Sequence, residues 1–66
     1  MKVLDTDMQV AWELGSIIVG AERGRGDMAV TLIAPTGVAI SAERARELAA
    51  ALVLAAVFSE QEKDRS

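Results

Sequence analysis

The chain contains no cysteine and no histidine, and these two absences remove much of the chemistry a small protein could perform. Without cysteine there is no disulfide framework, no thiolate zinc site and no sulfur nucleophile. Without histidine the usual general base is missing, together with the Ser-His and Cys-His pairs of nucleophilic catalysis, so Ser16 and Ser41 have no such base to activate them. Tyrosine is also absent, and the aromatics are one Trp and one Phe. Platforms for single-stranded nucleic acid stack bases on aromatic faces, so the tract "RGRG" from Arg23 to Gly26 lacks the neighbours that make such tracts RNA-binding. A basic excess is missing as well: the net charge is -3 and the isoelectric point is near 4.7, the opposite sign from a protein that binds by neutralising phosphates.

What is present is a folding composition, 52% hydrophobic and 26% charged over 66 residues, which excludes a disordered acidic chain. The length allows one domain, residues 1–66, near the lower size at which a core offsets chain entropy without staples or partners. Oligomerisation is therefore an option from the outset. The opening "MKVLDTD" runs into acids instead of a sustained apolar stretch, so no signal peptide is read and a cytoplasmic location is expected.

Alternation organises the first two thirds. Met8, Val10, Trp12 and Leu14 alternate with Gln9, Ala11 and Glu13, which predicts a strand over 8–14. The competing reading is a short helix, with Thr6 and Gln9 spaced as a capping box and Gly15 as its stop. Gly15-Ser16 suits a two-residue type II′ hairpin turn into a second strand over 17–22. "RGRGD", Arg23 to Asp27, is the next turn, and Met28, Val30 and Leu32 mark a third strand. Ala34-Pro35-Thr36-Gly37 matches a type I turn, after which Val38-Ala39-Ile40 is short enough to be a fourth strand or a strand end. Ser41 is a good N-cap with Glu43 in the first turn, and nothing between Ala42 and about Gln61 breaks a helix. The expected fold is thus α+β: an antiparallel β-meander of three or four strands, then one long C-terminal helix on the sheet. The expected segments are a lead-in at 1–7, the meander at 8–40, the helix at 41–62 and a frayed tail at 63–66.

The helix holds eleven consecutive apolar residues, Leu48 to Phe58, more than one stripe requires. At about 100° per residue, Ala45, Leu48, Ala49, Leu52, Ala55 and Ala56 form a low-relief stripe suited to the sheet. Ala50, Val53, Leu54, Val57 and Phe58 form a second apolar group on the other side. Leaving such side chains in water forgoes roughly 1.5–3 kcal/mol each, a large share of a small domain's stability. The run is shorter than the ~20 residues of a membrane span, and it lacks the lysine and arginine of a surface-lying helix. These five residues are accordingly read as an oligomer interface, with a second copy as the partner.

Other motifs carry less. "RGD" at Arg25-Gly26-Asp27 spells an integrin-ligand tripeptide but also makes an ordinary turn. Gly20, Gly24 and Gly26 are not followed by the Gly-Lys-Ser/Thr of a phosphate loop. Asp5 and Asp7 are too few for a calcium site. Trp12 is read as core, with an interface anchor as the alternative. Arg23, Arg25, Arg44 and Arg46 are candidate phosphate contacts if a dimer gathers them, although Glu22, Asp27, Glu43 and Glu47 are interleaved with them.

The segment "VAISAERARELAAALVLAA", Val38 to Ala56, resembles the C-terminal part of short uncharacterised proteins from actinobacteria and their phages. In those proteins a strand leads into a Ser-x-Glu-x-Ala-Arg-x-Leu-Ala-x-Ala-Leu helix; Ser41, Glu43, Ala45, Arg46, Leu48, Ala49, Ala51 and Leu52 carry the likeness. The resemblance implies a source and a β-then-α layout, and no activity. The expectation from the sequence is a small, non-enzymatic, homo-oligomeric binding protein without cofactor or metal, acting on another protein and not on a membrane. The alternative is a dimeric DNA-binding transcription regulator using the arginine cluster.

Overall fold

The computed structural model describes residues 2–24 and 28–61. At its centre, β2 (Gln9–Leu14) and β3 (Ile17–Glu22) pair antiparallel with Leu14 opposite Ile17 across Gly15-Ser16. Gly15 has a φ of 65° and Ser16 stays out of the positive region, the glycine-first geometry of a type II′ turn. β4 (Val30–Ile33) lies along the other edge of β3, with Leu32 opposite Val19. β1 (Lys2–Asp5) lies along β2, with Val3 opposite Trp12. The sheet order is β1-β2-β3-β4, every neighbour antiparallel, and α1 (Ala42–Glu60) packs on β3 and β2. The fold is α+β, a four-strand meander followed by a single C-terminal helix.

The strand expected over 8–14 is β2, so the competing helix is excluded, and two local expectations, the source of the fourth strand and the placing of the later turn, are corrected. The fourth strand comes from the lead-in and not from Val38–Ile40, which forms no strand. Thr6 and Gln9, spaced like a capping box, close the β1–β2 hairpin: the Gln9 amide donates to Thr6 Oγ1 at 3.1 Å, and the Thr6 amide donates to the Gln9 carbonyl at 2.7 Å. The same side-chain-to-backbone bond serves a turn here instead of a helix start. In the later connection the turn lies one residue beyond the type I placement. The Val38 amide donates to the Pro35 carbonyl at 3.3 Å, and Gly37, at φ 69°, occupies the third position, where type II turns need a positive φ. The chain then stays at that end of the sheet, and Val38 to Ser41 border a hollow with Leu14 to Ile17 instead of extending an edge.

Ser41 caps the helix, its hydroxyl accepting from the Arg44 amide at 3.0 Å. Gly15 lies beside the Arg44 guanidinium, and Arg23, just past β3, lies over the Phe58 ring. The helix axis therefore runs in the direction of β3.

Alternation along β2 and β3 sorts the core. Val10, Trp12, Leu14, Ile17, Val19 and Ala21 are buried toward the helix, and Ala51 and Ala55 meet them from above at 0% exposure. Leu48, Leu52 and Phe58 pack around this cluster. The helix is rotated from the expected stripe: Ala45 and Ala49 are exposed, and the sheet-facing line passes through Leu48, Ala51, Ala55 and Phe58. The cause is volume. The sheet contributes the large side chains, Trp12 among them, so close packing is reached when the helix presents its smallest residues at the closest approach.

This rotation is directly testable. Ala55→Leu is expected to lower stability by about 1–3 kcal/mol through overpacking, whereas Ala49→Leu leaves it within about 0.5 kcal/mol. Urea denaturation of the two variants measures the difference, and equal losses would mean that both alanines face the sheet.

Candidate interaction surfaces

Among the described residues, two apolar surfaces are left uncovered. The first is the outer side of α1. Val53 is 63% exposed, Leu54 48% and Val57 47%, and Ala50 lies exposed among them. Phe58, grouped with these residues on sequence, departs from them: it is half-buried, packs against the core and carries the Arg23 guanidinium 4.1 Å above its ring centre. One helical position beyond Val57 is enough to swing a side chain by about 100°, from the outer side to the sheet side.

Arg23 is a structural clamp. Its Nη1 donates to the Asp7 carbonyl at 2.6 Å, its Nη2 donates to Gln61 Oε1 at 3.3 Å, and its backbone amide donates to the Met8 carbonyl at 2.9 Å. One half-buried guanidinium thus ties the β1–β2 turn to the end of the helix. Its cation–π contact with Phe58 adds an attraction that the planar, weakly hydrated guanidinium is suited to make. Arg44 sits at the opposite end of α1, where its Nη1 pairs with Glu47 Oε1 at 2.9 Å. The fourteen residue steps from Arg44 to Phe58 span ~21 Å of helix, so one chain does not gather Arg23 and Arg44. Arg46 is exposed on the outer side of the helix, and Arg25, with the rest of the "RGD" tripeptide, lies outside the described residues. Among the described residues no group of three or more acidic side chains is placed to hold a metal ion.

The second surface is the face of the sheet opposite the helix. Register places Leu4, Ala11, Gly20 and Thr31 in one row across all four strands. A neighbouring row runs Lys2, Glu13, Ile18 and Ile33. On the other side of the first row, Gln9 pairs with Glu22, the Gln9 amide group donating to Glu22 Oε2 at 3.2 Å. The low centre over Ala11 and Gly20, walled by Leu4, Ile18, Ile33 and Gln9, forms a shallow trough of about 480 Å³. Leu4 is 49% and Ile33 56% exposed, on a face that an antiparallel sheet usually leaves polar. The sequence reading passed over this surface. Its signals were Ile18 and Ile33 in the polar register of their strands, and a glycine inside a strand.

No described helix is long and apolar enough to cross a membrane. Comparison with protein-family models, with curated proteins and with solved structures finds no match for this chain.

The clamp role gives Arg23 a measurable weight. Arg23→Ala is expected to cost about 1–2 kcal/mol in urea denaturation, since it removes the cation–π contact and two charge-assisted hydrogen bonds. Amide exchange should accelerate together at the β1–β2 turn and the last helical turn; a loss within about 0.5 kcal/mol would assign Arg23 to ordinary surface charge.

Proposed function

We propose that this protein is a small, non-enzymatic, self-associating binding protein that joins a second copy through the outer side of α1 and engages another protein through the surface the pair leaves open. The observation that carries the reading is the run of Ala50, Val53, Leu54 and Val57, apolar and left exposed by the described residues. Contiguous apolar surface of this kind marks interaction sites.

The sequence of the helix also supports a particular pairing. In an antiparallel, two-fold arrangement centred between Val53 and Leu54, Ala50 of one copy falls opposite Val57 of the other, small against large. Arg46 falls beside Glu60 of the second copy on the same flank. Among the described residues neither Arg46 nor Glu60 has an ion-pair partner within its own chain. A two-fold contact must be self-complementary, and this surface has both an apolar centre and opposite charges at matching distances from it.

The resemblance of the helix to those of actinobacterial and phage proteins fits a bacterial or phage-encoded protein of the cytoplasm, and it adds no activity. The alternative, a dimeric DNA-binding regulator, has less support. An antiparallel pair carries Arg23 of the second copy to the end where Arg44 lies, yet both guanidinium groups are engaged within their own chains.

Light scattering at micromolar concentration is expected to give a dimer for the native chain and a monomer for Leu54→Glu, with the helical circular dichroism retained. Arg46→Glu should weaken the dimer several-fold and Arg46→Glu with Glu60→Arg should restore it, as a double-mutant cycle requires of a direct pair. A native monomer at that concentration overturns the assembly. Retention on DNA that falls steeply with salt would favour the regulator instead.

A further inference from the structure

We propose that the outer edge of β4 takes on a further strand and that this strand is β4 of a second copy, laid antiparallel about a two-fold axis at Thr31, so that two sheets join edge to edge. The contact goes beyond the helix-to-helix pairing and does not rest on it, since it uses none of the residues on the outer side of α1.

An open sheet has two edges, here β1 and β4. The Glu22 amide donates to the Ala29 carbonyl at 2.9 Å, and by the alternation of an antiparallel ladder Thr31 and Ile33 also turn their backbone groups toward β3. Val30 and Leu32 turn theirs outward. Among the described residues no further strand and no loop backbone meets them, and their side chains stay 39% and 53% exposed. Bare edges are usually blunted by charge, proline or a bulge. Both edge strands are four residues long, so length does not separate them, but composition does. β1 has Lys2 and Asp5 at its ends, whereas β4 reads Val-Thr-Leu-Ile, without charge or proline and rich in β-branched residues.

Outward backbone donors and acceptors call for an extended strand, since only a strand returns the same groups at the same spacing. The register selects which strand. Bonds are exchanged only between residues whose backbone groups both point into the gap, so Val30 of one copy and Leu32 of the other exchange them on either side of the axis. Thr31 then faces Thr31 as a close, non-hydrogen-bonded pair on the open face of the sheet, a pairing that threonines favour. An axis at Leu32 would instead set leucine against leucine and Thr31 against Ile33. With the axis at Thr31 the overlap covers 29–33, which holds no formal charge, so the strand does not repel its own copy. A foreign strand would satisfy the backbone, but this uncharged edge has nothing with which to select its sequence. A second copy brings the matching run with it, and a two-fold contact of this kind is self-complementary.

The lack of cysteine makes the contact testable by cross-linking. Thr31→Cys is made in the full chain carrying Leu54→Glu, so that the helix pairing is absent. The two Cα atoms at the axis would lie about 4.5 Å apart, within disulfide reach. Under mild oxidation this variant is expected to form a linked dimer at least about tenfold faster than Leu4→Cys, which holds the same row on the charged β1 edge. Adding Leu32→Lys should abolish the link with the helical circular dichroism retained, and Val30→Lys takes its place if that variant does not fold. A contact this small is weak, so in the labelled Leu54→Glu chain dilution from about 1 mM to about 10 µM is expected to move the amides of Val30 and Leu32 in nuclear magnetic resonance and to leave those of Val3 and Asp5 in place. Equal linking of the two cysteine variants, linking that survives a folded lysine variant, or amides unmoved by dilution would each overturn the proposal. Amides of β4 moved by the blocked peptide Thr-Val-Thr-Val-Thr and not by dilution would overturn it in favour of a foreign strand. A native chain that is monomeric at micromolar concentration while Thr31→Cys still links would remove the helix pairing and leave this contact standing.

Discussion

The molecule depends on the seating of Ala51 and Ala55 against the β2–β3 hairpin. Val19, at 0% exposure, and Trp12, at 7%, project from the middle strands toward the helix, and only small residues at the contact let the helix axis come close enough to bury them. Once those two alanines are fixed, the rest of the helix has no freedom of rotation. Leu48, Leu52 and Phe58 fall along the sides of the core, and Ala50, Val53, Leu54 and Val57 are turned to solvent. The exposed side of the helix is in this sense a product of the core.

The same constraint explains why the two uncovered surfaces lie on opposite sides of the protein. A single helix covers one face of the sheet and has one outer side of its own, so a domain of one sheet and one helix leaves two layers unfinished. In a larger protein further helices would cover both. Here the outer helix surface carries an apolar centre with Arg46 and Glu60 at its ends, whereas the sheet surface carries a shallow, mainly apolar trough. Their chemistry differs, and so do the partners each would accept.

The alternation of Val10, Trp12 and Leu14, the glycine-first turn and the Ser41 cap made most of the fold legible in the sequence, because each is a local rule acting over a few residues. β1 was not legible. Val3 and Leu4 are two apolar residues between charges, and a strand of that kind exists only because β2 offers an edge and Thr6 and Gln9 hold the turn. The rotation of the helix was hidden for a related reason: when nearly every position is apolar, periodicity does not choose a face, and the size of the residues opposite does. Arg23 was visible as a charge but not as a clamp, since its partners Asp7, Phe58 and Gln61 are brought together only by the finished fold.

The order of the strands has a kinetic consequence. Each strand pairs with its neighbour in sequence, so the whole sheet can zip through successive hairpins without closing a long loop. The one distant step is the landing of the helix on β2 and β3, far back along the chain. A protein arranged in this way is expected to fold quickly for one with so much strand, its rate set by how soon a nascent helix meets the central hairpin. It would also lose its sheet and its helix together, since neither has a core without the other.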